Sequence, residues 1–212
     1  MDGNNRWSKK NNFEKYDSYN FGAKKLIELS KFIFDNYDIN FVSAFALSSH
    51  NLKRGSSILK IIQRILSEFL DQNFEENNFD FKISFKGDLS FLPKKIYKGI
   101  KDLEKINKKS NNHLIIYLNY SGKAEIISAI KLLKYSKTIN DNTFKDVLES
   151  SNIPDPDILI RTGGFKRLSD FLLYQISFTD FFFTKTLWPD IKKSQIKKFI
   201  NQFYKIDRKF GI

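Results

Sequence analysis

The stretch "LIIYLNY" at 114–120 is made of branched and aromatic side chains, broken by one Asn near its end. So short and apolar a run, followed at once by the polar "SGK" at 121–123, reads as a strand covered on both faces. Such a strand needs helices above and below it, and the flanking sequence supplies them. Upstream, 92–108 reads as a lysine-rich helix and "FKISFKG" at 81–87 as a second strand. Further back, Ile58, Ile61, Ile62, Ile65, Leu66 and Phe69 share one helical face, and "FVSAFAL" at 41–47 is a third buried strand. Ala23, Leu26, Ile27, Ser30, Ile33 and Phe34 mark a helix over 23–34. Downstream, helices are predicted at about 123–136 and 143–150, then the strand "DILIRTG" at 157–163. "FLLYQISFTDFFFT" at 171–184 reads as a helix end running into a last strand. Ile196, Phe199, Ile200, Phe203 and Phe210 then line one face of a closing basic helix.

This alternation predicts an α/β fold with a mainly parallel central sheet flanked by helices. No internal repeat and no long Pro/Gly/Ser linker divides the sequence, so residues 1–212 read as a single domain. With 212 residues and 41% hydrophobic content, the chain can bury a substantial core. It has no cysteine, which excludes disulfides, thiolate metal sites and a cysteine nucleophile. No apolar run approaches the ~18 residues of a membrane span, and no apolar stretch follows the first charges as in a signal peptide. The formal charge of +12 fits an anionic partner or mere compositional drift, because the excess is mostly Lys scattered through the predicted helices. No nucleic-acid-binding module accompanies it, and nucleic acid is not an expected partner.

In parallel sheets, ligands gather at the carboxyl ends of strands. Three polar loops fall there: "SSHNLKR" at 48–54, "SGK" at 121–123 and "RTGGFKRLS" at 161–169. The opening "MDGNNRW" at 1–7 resembles a fourth, a tight anion-binding turn rather than the start of a helix, with no strand before it. In "RTGGFKRLS" the paired glycines would let backbone amides approach an anion, Arg161 and Arg167 offer planar forks, and Ser169 adds a hydroxyl. That pattern fits a diphosphate cradle, or a loop whose arginines pair with surface carboxylates. Asp2, with Gly3 and Arg6, is suited to a metal–diphosphate pair, and Mg²⁺ prefers such oxygen ligands. Asp180, set among aromatics, is a second metal candidate or a solvent-facing strand start. Asn51 and Arg54 could orient substrate and bind phosphate, although turns also favour Asn and Ser for local reasons. His50 and His113 form no ligand motif, and His113 is expected to be structural.

Taken in chain order, MDGNxRW, S-S-x-N-x-x-R, the Gly87–Asp88 pair, N-Y-x-G, R-T-G-G-x-x-R-x-S-x-F-L-L-x-Q, "LWPD" and "DRKFG" resemble the cis-prenyltransferases, most of all bacterial undecaprenyl diphosphate synthase, an isoprenyl transferase. The resemblance implies a homodimer with a hydrophobic tunnel for a growing polyprenyl chain. It implies Mg²⁺-dependent, repeated condensation of isopentenyl diphosphate onto an allylic diphosphate, usually farnesyl diphosphate, with cis double bonds. A cytoplasmic location follows, with peripheral membrane contact for product release.

By the same resemblance, Asp2 is the essential acid that handles Mg²⁺ and the primer diphosphate. Gly3, Asn4, Asn5 and Arg6 cradle that diphosphate beside Trp7. Lys15 and Tyr19 stand near the primer, where the family has Arg and His. Arg161, Arg167 and Ser169 resemble the isopentenyl diphosphate site. Asn51 is linked to proton removal, with Ser48, Ser49 and Arg54 on the same substrate loop. Asp180 replaces a metal-ligating Glu. Leu52, His50, Phe165, Lys123 and Glu125 also depart from the pattern, replacing Trp, Glu, an acid, Arg and Asp. The family strand before MDG is missing, which leaves an α-amino group beside Asp2, expected to be mostly cationic at neutral pH and to oppose Mg²⁺. These departures keep open a second reading, a non-catalytic homologue serving as partner of an active subunit.

Overall fold

All but one residue of His113–Tyr120 (β3) are buried, as a strand between two neighbours requires. Phe41–Ser48 (β1) pairs with it in parallel on one side and Lys82–Lys86 (β2) on the other, so that Phe41 and Lys82 both lie opposite His113. The computed structural model describes residues 1–52, 56–73, 79–106 and 108–208. They form two compact units, Leu26–Pro154 and the combination of Met1–Lys25 with Asp155 onward.

In the Leu26–Pro154 unit, parallel pairing forces crossovers, and helices supply them. Ser49–Leu52 (α3) and Ser56–Asn73 (α4) connect β1 to β2, and Lys94–Leu103 (α5) connects β2 to β3. Ile96, Ile100 and Leu103, on one face of α5, are buried. Gly122–Leu132 (α6) starts where the Ser121 hydroxyl accepts the Ala124 amide at 3.2 Å, and Asp141–Asp146 (α7) starts at an Asn140–Thr143 capping box. Gly87, at φ +99°, turns the chain out of β2 so close to β3 that a Cβ would sit 2.1 Å from the Leu118 carbonyl oxygen. Glu125 is only 4% exposed, yet it accepts the Tyr120 hydroxyl at 2.6 Å and the Glu149 amide at 3.1 Å. This position is held by buried hydrogen bonding.

His113 is structural, as expected. It is buried and shares a 2.7 Å hydrogen bond with Ser84. Burial, then the charges of Lys82 and Lys86, push its imidazole down to about 4, with Glu104 opposing. An unfolded His titrates near 6.5, so the unfolded chain binds the proton first as pH falls. Stability from neutral His113 is therefore complete above about pH 6.5 and lost on descent to pH 4, by about 3 kcal/mol. Urea unfolding at pH 7 and pH 4.5 should show a smaller acid-induced loss in His113→Gln than in the wild type. Equal losses would remove His113 as the cause.

In the other unit, Ile158–Arg161 (β4) and Asp180–Phe183 (β5) pair in parallel, with Ile158 opposite Asp180 and Arg161 opposite Phe183. The α/β fold with parallel strands and flanking helices is as the sequence predicts, but the described strands are divided between a three-stranded and a two-stranded sheet rather than joined in one. Lys193–Phe203 (α8) buries Ile196 and Ile200, and Phe210 lies outside the described residues. Lys15–Asn36 (α2) begins well before the predicted residue 23, and the unit boundary falls within it. The opening motif also differs from its reading: Asn4–Asn11 (α1) is helical, and the turn is confined to Gly3 at φ +112°. Residues 171–179 are turns rather than a helix end, because Ser169, Asp170 and Leu172 all take positive φ and break any helical run.

Candidate active site

Two segments about 160 residues apart are locked together at Asp2. Its amide donates to the Thr162 hydroxyl oxygen at 2.9 Å, and that hydroxyl donates back to the Asp2 carbonyl at 3.0 Å. The Trp188 amide donates to the same carbonyl at 3.0 Å. Thr162 is 1% exposed, so this clasp is shielded from water and fixes the Asp2 backbone whatever its side chain does. Gly3 then turns the chain into α1 with its Cα against Leu187; a Cβ there would meet Leu187 Cδ2 at 2.8 Å.

The Asp2 carboxylate faces two guanidiniums. Arg161 Nη2 donates to Oδ2 at 3.1 Å, and Arg6 Nη2 reaches Oδ1 at 3.5 Å while donating to the Gly163 carbonyl at 2.7 Å. The Arg161 pair is the stronger: its side chain is 13% exposed against 46% for Arg6, and exposed pairs contribute little. Arg161 Nη1 also donates to the Arg167 carbonyl and, at 2.9 Å, to Ser169 Oγ. Asp2, Arg6, Arg161 and Ser169 are therefore brought together, with two guanidinium charges on one carboxylate, and Arg167 joins them through its carbonyl, while its guanidinium lies on the Phe165 ring.

The glycine amides take no part in anion binding. Gly163 N–H donates to the Thr186 carbonyl at 2.8 Å and Gly164 N–H to the Thr184 carbonyl at 2.9 Å, continuing the β4–β5 ladder. Open amides come instead from α1. Its first bond runs from Trp7 N–H to the Gly3 carbonyl, so the amides of Asn4, Asn5 and Arg6 have no carbonyl partner among the described residues. With the helix dipole behind them, they leave three unpaired donors beside Arg6.

Trp7 is held by its indole N–H, which donates to Asp190 Oδ1 at 2.7 Å, and it stacks on Phe13 at 5.2 Å. Lys15 opens α2 exposed, and Tyr19 follows one turn later. Burial, then the Asp2 charge, raise the Tyr19 phenol above its ordinary value, so it stays protonated as a donor near that carboxylate. The Met1 α-amino group is held down at about 6, chiefly by burial, with Asp2 opposing and Arg161 adding to the shift. It is mostly neutral at pH 7, which corrects the expectation of a cationic amine next to Asp2.

Asp180 is not brought to Asp2. Asp2 sits at the Arg161 end of β4, whereas Asp180 lies opposite Ile158, three residues back or about 10 Å along the ladder. Its Oδ2 faces Arg208 Nε at 3.7 Å, and Arg208 also pairs with Asp157. The two carboxylates are therefore not neighbours within one chain. Among the described residues, no cluster of three or more His, Asp or Glu side chains could hold a metal. Asp2 alone, one-third exposed at its side chain, fits the mode in which Mg²⁺ takes one carboxylate and completes its shell with diphosphate and water oxygens.

In the Leu26–Pro154 unit, Ser48 Oγ accepts the Asn51 amide at 3.2 Å and starts α3, which also contains Ser49. Arg54 lies outside the described residues. Sequence reasoning missed Thr162, Asp190 and Phe165 as site residues. Thr162 and Asp190 lie inside the quoted "RTGG" and "LWPD" motifs, while Phe165 is visible only as a departure from the family pattern.

Parallel strands ending at an arginine-lined cradle, next to a helix N-terminus, describe an α/β protein equipped for a polyanion. A family model described as "Putative undecaprenyl diphosphate synthase" matches residues 1–211, and the chain belongs to this family of prenyltransferases. It is 36% identical over 220 residues to the tritrans,polycis-undecaprenyl-diphosphate synthase (geranylgeranyl-diphosphate specific) of Pyrobaculum aerophilum, covering 99% of this chain and 92% of that protein. It is 34% identical to the ditrans,polycis-undecaprenyl-diphosphate synthase ((2E,6E)-farnesyl-diphosphate specific) of Wigglesworthia glossinidia brevipalpis, over 100% of this chain and 85% of that one. The crystal structure of lavandulyl diphosphate synthase from Lavandula x intermedia, in complex with dimethylallyl diphosphate, superposes with a TM-score of 0.87 at 27% identity. That match covers 100% of this chain and 95% of the other.

Proposed function

We propose that this chain condenses isopentenyl diphosphate repeatedly onto an allylic diphosphate primer, farnesyl diphosphate by preference, to give a long cis-polyprenyl diphosphate. The observation that carries the reading is the pairing of Arg6 and Arg161 with the single carboxylate of Asp2 beside the α1 N-terminus, with the Arg167 guanidinium on the Phe165 ring that Arg6 and Arg161 also approach. In this reading the amides of Asn4 to Arg6 and the Arg6 fork hold the primer diphosphate, with Trp7, Lys15 and Tyr19 beside it. Arg161, Arg167 and Ser169 hold the isopentenyl diphosphate. As the primer's carbon–oxygen bond breaks, an allylic cation and a free diphosphate develop, and the guanidiniums stabilise the departing charge. The new carbon–carbon bond then forms, and a proton passes to an oxygen of the released diphosphate; Asn51, a neutral amide, orients that proton's path, and Ser48, Ser49 and Arg54, its neighbours in sequence, assist substrate binding. Bound Mg²⁺ would neutralise diphosphate charge, held by Asp2. An apolar tunnel lined by some of the 22 phenylalanines keeps water from the cation. A homodimer, with peripheral membrane contact during product release, completes the reading.

The primers named for the relatives differ in length, so primer choice is the point to test. Labelled isopentenyl diphosphate is offered with dimethylallyl, farnesyl or geranylgeranyl diphosphate, in Mg²⁺ and in EDTA. Farnesyl diphosphate should give the highest kcat/KM, and EDTA should abolish turnover until Mg²⁺ is restored. Preference for another primer would revise the substrate, and EDTA-insensitive turnover would remove the metal.

A further inference from the structure

Phe165 places a hydrocarbon ring in the middle of an ionic cradle. The centroid of its ring lies 4.2 Å from Arg167 Cζ, 5.0 Å from Arg6 Cζ and 5.9 Å from Arg161 Cζ. All three guanidiniums are thus within about 6 Å of one phenyl centroid, the range of a cation–π contact. Arg6 and Arg161 have other anchors: Asp2 for both, the Gly163 carbonyl for Arg6, and Ser169 for Arg161. Arg167 has none. Among the described residues its side chain makes no ion pair and no hydrogen bond, and it rests on the ring.

Three like charges repel, and a carboxylate at residue 165 would be the simplest way to hold them. It would also take N–H donors and cancel one charge. A ring attracts the same cations through its quadrupole and takes no donor. We infer that Phe165 is a positioning residue, which gathers Arg167 with Arg6 and Arg161 around one aromatic ring and leaves the N–H edge of Arg167 open to a diphosphate. Three guanidinium charges then oppose one carboxylate, an excess matched to pyrophosphate rather than to singly charged ligands. This inference rests on the diphosphate reading of the cradle.

The test is calorimetric titration of inorganic pyrophosphate into the full chain at fixed ionic strength, for the wild type, F165L, F165Y, F165W and R167Q. Phe165 is 41% exposed, so these changes leave the core intact, and thermal unfolding checks this. F165L should weaken pyrophosphate binding about 5- to 20-fold and raise KM for isopentenyl diphosphate in step, with kcat within about threefold. F165Y and F165W should stay within about threefold of the wild type, and R167Q should reproduce the loss in F165L. Unchanged binding in F165L or R167Q would overturn the inference, as would equal weakening in the leucine, tyrosine and tryptophan variants. A wild type that binds no pyrophosphate would instead overturn the diphosphate reading, and this inference with it.

Discussion

Asp2→Asn should lower the rate of isopentenyl diphosphate incorporation by about 10³-fold while the chain keeps its fold. The backbone of Asp2 is clasped by Thr162 and Trp188, and the substitution leaves those bonds untouched. It removes the one carboxylate facing Arg161, whose side chain is 13% exposed, and leaves a neutral amide where a cation is to be held. Asp2→Glu keeps the charge but moves it by one methylene, so it should retain partial activity. The comparison needs kcat for both variants beside their thermal midpoints. A loss smaller than tenfold in Asp2→Asn would show that the carboxylate is not central.

Gly163→Ala should cost about 10²-fold in kcat/KM, and Gly164→Ala only a few-fold. Both glycines have positive φ, +84° and +85°, so either alanine strains the backbone by about 1–2 kcal/mol. Their surroundings differ. A Cβ on Gly163 would lie 2.6 Å from Arg6 Nη2 and 3.1 Å from the Asp2 carbonyl carbon and oxygen. A Cβ on Gly164 meets nothing nearer than Lys185 Cα at 3.8 Å. The first substitution pushes Arg6 and Asp2 out of place; the second only strains the chain. Urea midpoints should fall alike in both variants while kcat/KM separates them. Equal activity losses would mean that strain, not the displaced cradle, is responsible.

What the sequence made legible follows from how local each signal is. β1 to β4 are short apolar runs with polar ends, and each lies within a residue or two of its reading. The start of α2 was hidden because "KYDSYN" at 15–20 carries little apolar periodicity, although Trp188, whose indole donates to the Gly22 carbonyl at 2.8 Å, packs against the helix at Gly22. The apolar 171–179 run reads as helix by composition, yet the positive φ values at 169, 170 and 172 are backbone facts with no side-chain signature. The arginines and Asp2 were legible as residue types, and the family motifs joined two ends of the chain that no local pattern connects. The glycine amides were misread because a Gly-Gly pair looks the same whether its N–H groups face an anion or a neighbouring strand. The place of Asp180 was hidden for a related reason: its position at the far end of the β4–β5 ladder depends on register, and its Arg208 partner is 28 residues away in sequence. Phe165 stands out only where three arginines are seen to share its ring.

The central claim is that this cradle serves prenyl transfer. The most direct test incubates the full chain with labelled isopentenyl diphosphate, farnesyl diphosphate and Mg²⁺, then extracts the products into butanol and resolves them by length. The expected result is a ladder of labelled polyprenyl diphosphates that Asp2→Asn does not form. A folded wild-type chain that makes no butanol-extractable product, with farnesyl or any shorter or longer allylic primer, would contradict it and point to the non-catalytic partner instead.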